Sequence, residues 1–185
     1  MYSMEDMAPL SPPKQRSHQR YNDHGGRRIV GCIPYRFKTS FNKSTGENGI
    51  SVNQLEVLVI SSQNGGAILF PKGGWEEYES MEDAVLREAE EEAGVRGIIK
   101  DRLGKWIYVS RRHKSNYEGV MFSFIVKEEL SEWLECHRER RWVSVEEVKK
   151  GCPHIWMKEA LDKLVDKLFG GVGQQQDALE MERID

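Results

Sequence analysis

Hydrophobic residues recur along the chain with two spacings, and the spacing predicts which segments form strands and which form helices. Short apolar runs rich in β-branched residues predict strands at residues 27–37, 54–62, 67–70, 105–111, 119–130 and 140–145. Apolar positions over 155–170 repeat about every 3.6 residues, which predicts a helix with Gly170 as its stop. Ser144 predicts the cap of a further short helix.

Polar segments separate and flank these elements. Residues 1–25 carry three prolines and few apolar residues, so we expect a disordered arm, and 171–185 lack an apolar stripe and predict a flexible tail. Residues 38–53 predict a surface loop. The sequence therefore predicts one domain over residues 26–170. No apolar run approaches the roughly 18 residues that a membrane helix needs.

The segment before residue 95 predicts one more helix, over 81–93. Ser80 and Asp83 form a capping box, and Gly94 is a natural stop. At about 100° per residue, one arc of this helix carries three carboxylates, those of Glu88, Glu91 and Glu92. The neighbouring arc is apolar and is expected to pack on the sheet, through Val85, Leu86, Ala89 and Ala93. The carboxylates should therefore lie at the edge of the buried stripe.

Charge is unevenly distributed in this chain of net charge −3. Residues 73–95 hold nine acids and one base, whereas the rest of the chain is mildly basic. Glutamates three or four residues apart repel one another, so this helix is either a solvated acidic face or a cation site. Carboxylates at this density suit hard ions, and Mg²⁺ or Mn²⁺ is the expected cofactor.

The three cysteines, Cys32, Cys136 and Cys152, are widely spaced. They match neither a zinc-ligand spacing nor a disulfide framework, which favours a reducing compartment. The arm contains both bases and acids, whereas a transit peptide is poor in acids. We therefore expect a cytoplasmic protein, with the nucleus and the mitochondrion as alternatives.

Two glycines and the acidic helix together form an extended motif. Gly73 is followed after five residues by Glu79, and after seven more by the sequence REAEEEAGV at 87–95. This pattern resembles the signature box of the Nudix hydrolases at every specified position. The segments GCIPYRF, VLVISSQ, FPKGGWE and RERRWVSVEEV further resemble the diphosphoinositol and diadenosine polyphosphate phosphohydrolases, particularly those of plants.

The resemblance implies an α/β (α+β) fold with a mixed sheet between helices, and it implies roles for the residues of the box. Glu88 and Glu92 would bind the metal together with the Lys72 carbonyl. Glu91 would be the general base or a further ligand, and Arg87 would orient the carboxylates. Metal electrostatics and a proton acceptor would then activate a water against a phosphoanhydride.

A highly phosphorylated substrate needs many cationic contacts. The candidates are loop residues placed around one expected cleft, namely Arg27, Arg28, Ser62, Gln63, Arg111, Arg138 and Arg140. Gln63 stands where animal relatives carry an arginine, so its contact would be weaker.

The expected function is metal-dependent hydrolysis of diphosphoinositol polyphosphates, diadenosine polyphosphates or both, by a monomer acting on small molecules. Two alternatives stay open: hydrolysis of another nucleoside-diphosphate-linked substrate or an RNA cap, and a scaffold that binds polyphosphate without cleaving it. Capped RNA requires a continuous basic track with stackable aromatics. The basic residues are instead dispersed in patches, so neither nucleic acid nor a membrane is an expected partner.

Overall fold

The fold is described from a computed structural model, which covers residues 18–38, 51–63, 65–110 and 115–181, with side chains up to residue 170. Over these ranges the chain forms seven strands and three helices. The strands are β1 (Arg28–Phe37), β2 (Leu55–Ser61), β3 (Ile68–Leu69), β4 (Lys72–Gly74), β5 (Val95–Val109), β6 (Asn116–Glu129) and β7 (Arg140–Val143). The helices are α1 (Met81–Ala93), α2 (Val145–Gly151) and α3 (Ile155–Met181).

Strand β1 is the centre of a mixed sheet, which confirms the predicted fold class. It pairs parallel with β6 and antiparallel with β2 and β4, while β3 and β7 pair with β2 and β5 pairs with β6. Seven consecutive residues of β1, Ile29–Tyr35, are buried, as expected of a strand covered on both faces. Helices α1 and α3 contribute Val85, Ala89, Leu161 and Leu164 to the same core.

Two strands differ from the sequence prediction. Strand β4 lies where the sequence predicted a loop. The prediction failed because Gly73 and Gly74 have no side chains that could alternate between polar and apolar. The strand forms through its pairing with Ile29–Gly31. Strand β5 begins at Val95 rather than at residue 105, directly after α1. It makes a long hairpin with β6 whose register shifts interrupt the regular pattern.

The helix predictions are confirmed for α1 and α2 and are wrong at two points. Leu86 is 41% exposed, because α1 packs through its small residues and through Glu88, so that the buried face is centred away from Leu86. Helix α3 continues past Gly170 to Met181 and includes Gly171 and Gly173, although each glycine costs a helix about 1 kcal/mol relative to alanine.

The N-terminal boundary of the fold lies earlier than expected. Residues 18–25, which the sequence assigned to the arm, contact the domain: Gln19 bridges to Glu76 and Tyr21 bridges to Arg27. Backbone pairing, which leaves no hydrophobic pattern, holds this segment. Residues 1–17 lie outside the described part. No helix in the described ranges is long and apolar enough to span a membrane.

Candidate active site

Strand β4 and helix α1 frame the site, and the ends of the helix are well fixed. At its start the Ser80 hydroxyl accepts from the Asp83 amide at 3.0 Å. At its end Gly94 adopts the left-handed conformation, with φ of 60°, and its amide donates to carbonyls of the last turn. The positions of the carboxylates on α1 are therefore set relative to the short strand beside it.

Glu88 lies in the buried face of α1 rather than at its edge, and only 8% of its surface is exposed. Its carboxylate occupies the space beside Gly73, where a methyl group would collide with it. The Arg87 guanidinium donates to Glu88 Oε1 at 2.5 Å. Burial, followed by the charge of Glu92, nevertheless raises the pKa of Glu88 to about 8.

Glu92 approaches the same strand one turn later. Its Oε2 accepts from the Lys72 amide at 2.8 Å, and its Oε1 lies 2.6 Å from Arg138 Nη1. Burial raises the pKa of Glu92, and the nearby charges of Lys72 and Arg138 oppose that rise. Two buried carboxylates thus meet the backbone of β4 at adjacent residues.

Arg87 connects the helix to the loop that precedes it. Its guanidinium donates to Glu79 at 2.7 and 3.0 Å, and to the Gly74 carbonyl at 2.9 Å. Glu91, on the more exposed side of α1, lies 3.4 Å from the same guanidinium. One arginine thus contacts three carboxylates and one loop carbonyl, a geometry suited to orienting the acidic side chains.

A cavity of about 410 Å³ opens beside β4 and receives Glu92. Its cationic lining residues are Arg27, Lys72 and Arg138. Most of its other side-chain lining is polar or aromatic: Gln63, Tyr108, Ser110, Tyr117 and His154. The cavity therefore joins the Glu92 carboxylate, which forms its carboxylate wall, to cationic and aromatic side chains.

The predicted substrate contacts divide into three groups. Arg27, Gln63 and Arg138 line the cavity. Arg28 instead lies 3.5 Å from Glu118, and the Ser62 hydroxyl donates to the Gly65 carbonyl at 2.6 Å within its own turn. Arg111 lies outside the described residues.

Arg140, predicted to contact substrate, supports the fold instead. Its guanidinium donates to the carbonyls of Ala93, Gly94 and Leu130 at 2.9–3.1 Å, and it lies 4.2 Å from the centre of the Trp133 ring. A cation at the carboxyl end of α1 satisfies carbonyls that the helix leaves without partners. This geometry does not support a substrate contact. The sequence could not show it, because only the folded chain brings Arg140 close to the end of α1.

Sequence reasoning missed Tyr108, Tyr117 and Gln19. Tyr108 and Tyr117 are partners across the β5–β6 hairpin, and the Arg27 guanidinium lies 5.8 Å from the Tyr117 ring centre. Gln19 accepts a short hydrogen bond from Arg27. The aromatic pair depends on the hairpin register, which bulges shift, so spacing in the sequence carried no signal for it.

Comparison with known families identifies the box and its surroundings. A family model described as the NUDIX domain matches residues 49–167, well over half of the chain. The chain belongs to the Nudix family. The Nudix match covers β4, α1 and the carboxylate wall, while Gln19 and Arg27 lie before it.

Similar Nudix proteins are found among plant sequences and among solved structures. Nudix hydrolase 18, mitochondrial, of Arabidopsis thaliana is 52% identical over 83% of this chain and 84% of its own length. Nudix hydrolase 17, mitochondrial, of the same plant is 46% identical over 96% and 94%. These relatives show that the chain is a hydrolase.

Among solved structures, a Caenorhabditis elegans Ap4A hydrolase superposes with a TM-score of 0.58 at 17% identity, covering 76% of this chain and 97% of that one. A NUDIX hydrolase from Nitrosomonas europaea gives 0.59 at 16% identity, with 77% and 90% covered. These likenesses establish the Nudix fold.

Nudix hydrolases generally use divalent metal ions, and the donor chemistry of this site fits one. Glu88 and Glu92 present carboxylate oxygens at the same strand, and burial raises the pKa of both, so a cation bound there would stabilise their charged forms. Within the described ranges, however, no three acidic, histidine or cysteine side chains converge on one point. Arg87 contacts Glu88 and Arg138 contacts Glu92, so a metal would compete with these ion pairs for the carboxylate oxygens.

Proposed function

We propose that this Nudix hydrolase cleaves phosphoanhydride bonds in highly phosphorylated small molecules, namely diphosphoinositol polyphosphates, diadenosine polyphosphates or both, with Mg²⁺ or Mn²⁺ as cofactor. The observation that carries the proposal is the cavity beside β4, where Arg27, Lys72 and Arg138 line the same space as Glu92. A polyanion needs several cations at once, and hydrolysis of its anhydride needs the box carboxylates within reach.

Each residue of the box has a proposed part. Glu88, Glu92 and the Lys72 carbonyl would hold the metal, which when bound neutralises phosphate charge and lowers the pKa of a water. Glu91, the box carboxylate on the less buried side of α1, would be the general base for a water or a further metal ligand. Arg87 keeps Glu91 and Glu88 oriented, and Arg27 binds phosphate oxygens at the cavity wall.

A turnover panel tests the proposal. The protein is incubated with diphosphoinositol pentakisphosphate or diadenosine hexaphosphate, each with Mg²⁺ and with Mn²⁺, and released phosphate and nucleotide are quantified. We expect hydrolysis of at least one substrate. Loss of a proton acceptor lowers rates by about 10²–10⁴, so Glu91→Gln should lower kcat by this order, and Glu92→Gln should abolish metal-dependent turnover.

Glu90→Gln is the matched control on the same helix. Glu90 is exposed to solvent and forms its ion pairs with Arg96, at 2.8 Å, away from the cavity. This variant should retain wild-type turnover. A Glu92→Gln protein as active as Glu90→Gln would contradict the mechanism.

The same assay with capped RNA as a further substrate, and a binding measurement beside it, separates the alternative functions. Tight binding of both substrates without turnover would indicate a scaffold. Release of capped product from RNA, with affinity that falls steeply as salt rises, would indicate decapping.

The compartment and the oligomeric state stay predictions. Relatives are named for the mitochondrion and, in one case at 45% identity, for the chloroplast, whereas the sequence favours the cytoplasm. Fractionation and light scattering at defined concentration address these two points.

A further inference from the structure

The segment before β1 runs along the catalytic loop. The Arg20 amide donates to the Trp75 carbonyl at 2.8 Å, and the Glu77 amide donates to the His18 carbonyl at 2.8 Å. Between these two bonds lies Gln19, which is 9% exposed. The backbone thus fixes Gln19 against the loop that joins β4 to α1.

The side chain of Gln19 touches two parts of the site. Its Oε1 accepts from Arg27 Nη2, and its amide covers the α-carbon of Gly74 so closely that a methyl group there would collide with it. The Gly74 carbonyl in turn accepts from Arg87. Gln19 therefore lies between Arg27 at the cavity wall and Gly74, the last residue of β4.

The chemistry of the amide matters for Arg27. A carboxylate at position 19 would orient the guanidinium but would also neutralise its charge. A glutamine oxygen orients it and leaves the full positive charge for an anion. Fixing a long side chain beforehand also reduces the entropy that ligand binding would otherwise cost.

We propose that Gln19 is a positioning residue that holds Arg27 at the cavity wall for a phosphate group of the substrate. The proposal rests on the proposed function in one respect, that the cavity binds a polyphosphate. It extends the site to a residue that lies outside the segment matched by the family model.

Binding of inorganic tripolyphosphate, measured by titration calorimetry on the full chain, tests the proposal without turnover. A tenfold change in Kd corresponds to about 1.4 kcal/mol, a magnitude within reach of one hydrogen bond to a charged group. We expect Gln19→Ala to weaken the Kd about tenfold. In an Arg27→Ala background the same substitution should change nothing further, because Gln19 acts through Arg27.

Two more variants separate positioning from packing. Gln19→Glu keeps the shape of the side chain and neutralises Arg27, so it should also weaken binding and reduce its salt dependence. His18→Ala, at the exposed neighbouring position, should bind as the wild type does. Should Gln19→Ala fail to fold, the binding measured for Gln19→Glu tests the proposal.

Distinct results overturn the two proposals. The role of Gln19 is overturned if Gln19→Glu binds tripolyphosphate as tightly as the wild type. It is also overturned if Gln19→Ala loses the same affinity with Arg27 present and with Arg27 replaced by alanine, or if the wild type binds no tripolyphosphate. A wild type that binds it through Gln19 and Arg27 but hydrolyses no substrate of the panel overturns the proposed function alone.

Discussion

Replacing Arg138 by alanine tests whether this residue supports the carboxylate wall. Arg138 is 4% exposed. It contacts Glu92 at 2.6 Å, Glu135 at 3.0 Å and the Ser61 carbonyl at 2.9 Å. The substitution leaves Glu92 buried without this cation and removes the connection between α1 and the end of β2.

The contacts of Arg138 allow the loss of stability to be bounded. Breaking a buried ion pair by removing one partner costs about 3–5 kcal/mol. For a chain of this size 1 kcal/mol shifts Tm by roughly 2–4 °C, so the expected decrease is about 6–20 °C. Part of the loss should be recovered with Mg²⁺, because a cation at Glu92 replaces the missing charge.

Thermal and urea unfolding followed by circular dichroism, without metal and with Mg²⁺, measure the decrease in Tm and the loss of free energy of unfolding. Arg141→Ala is the matched control, since Arg141 is an exposed arginine of the neighbouring strand β7. Its substitution should stay within about 0.5 kcal/mol of the wild type. Equal stability of the Arg138 and Arg141 variants would refute the supporting role and leave Arg138 as a free cavity cation.

Three further predictions follow from the same site. Because the pKa of Glu88 is raised, the metal-free folded state holds a proton that the unfolded chain releases, and the free energy of unfolding should decline as pH rises from about 4.5 to about 8. Urea midpoints across this range should show the decline in the wild type and not in Glu88→Gln. A flat wild-type profile would contradict the reasoning. Gly73→Ala places a methyl group against the Glu88 carboxylate and should lower metal affinity and kcat by at least about tenfold. The control Gly65→Ala, in an open turn, should affect stability only. Equal metal affinity of the two variants in calorimetry would argue against the Gly73 contact. Arg140→Ala should cost about 1–3 kcal/mol of stability through the released carbonyls and leave KM unchanged, and a raised KM with unchanged stability would restore the substrate role.

Sequence alone determined the elements whose signals are local. Capping boxes and a terminal glycine placed α1 correctly, because these groups satisfy the helix's own backbone. The box motif likewise identified Glu88, Glu91 and Glu92 as a set, since their spacing on one helix follows from the helical period. The ends of strand β2 lie within one residue of the predicted ends, because the alternation of apolar residues is also a local signal.

Tertiary structure decided everything that depends on residues distant in the chain. It placed Glu88 inside the buried face of α1, paired Glu92 at the cavity with Arg138, and placed Arg140 at the carboxyl end of α1 rather than at the expected site. It also brought Gln19 from an expected arm to Arg27. An arginine or glutamine in a polar segment has the same local sequence signal whether it meets water, a carbonyl or a substrate. Only the packing of other segments around it selects the partner.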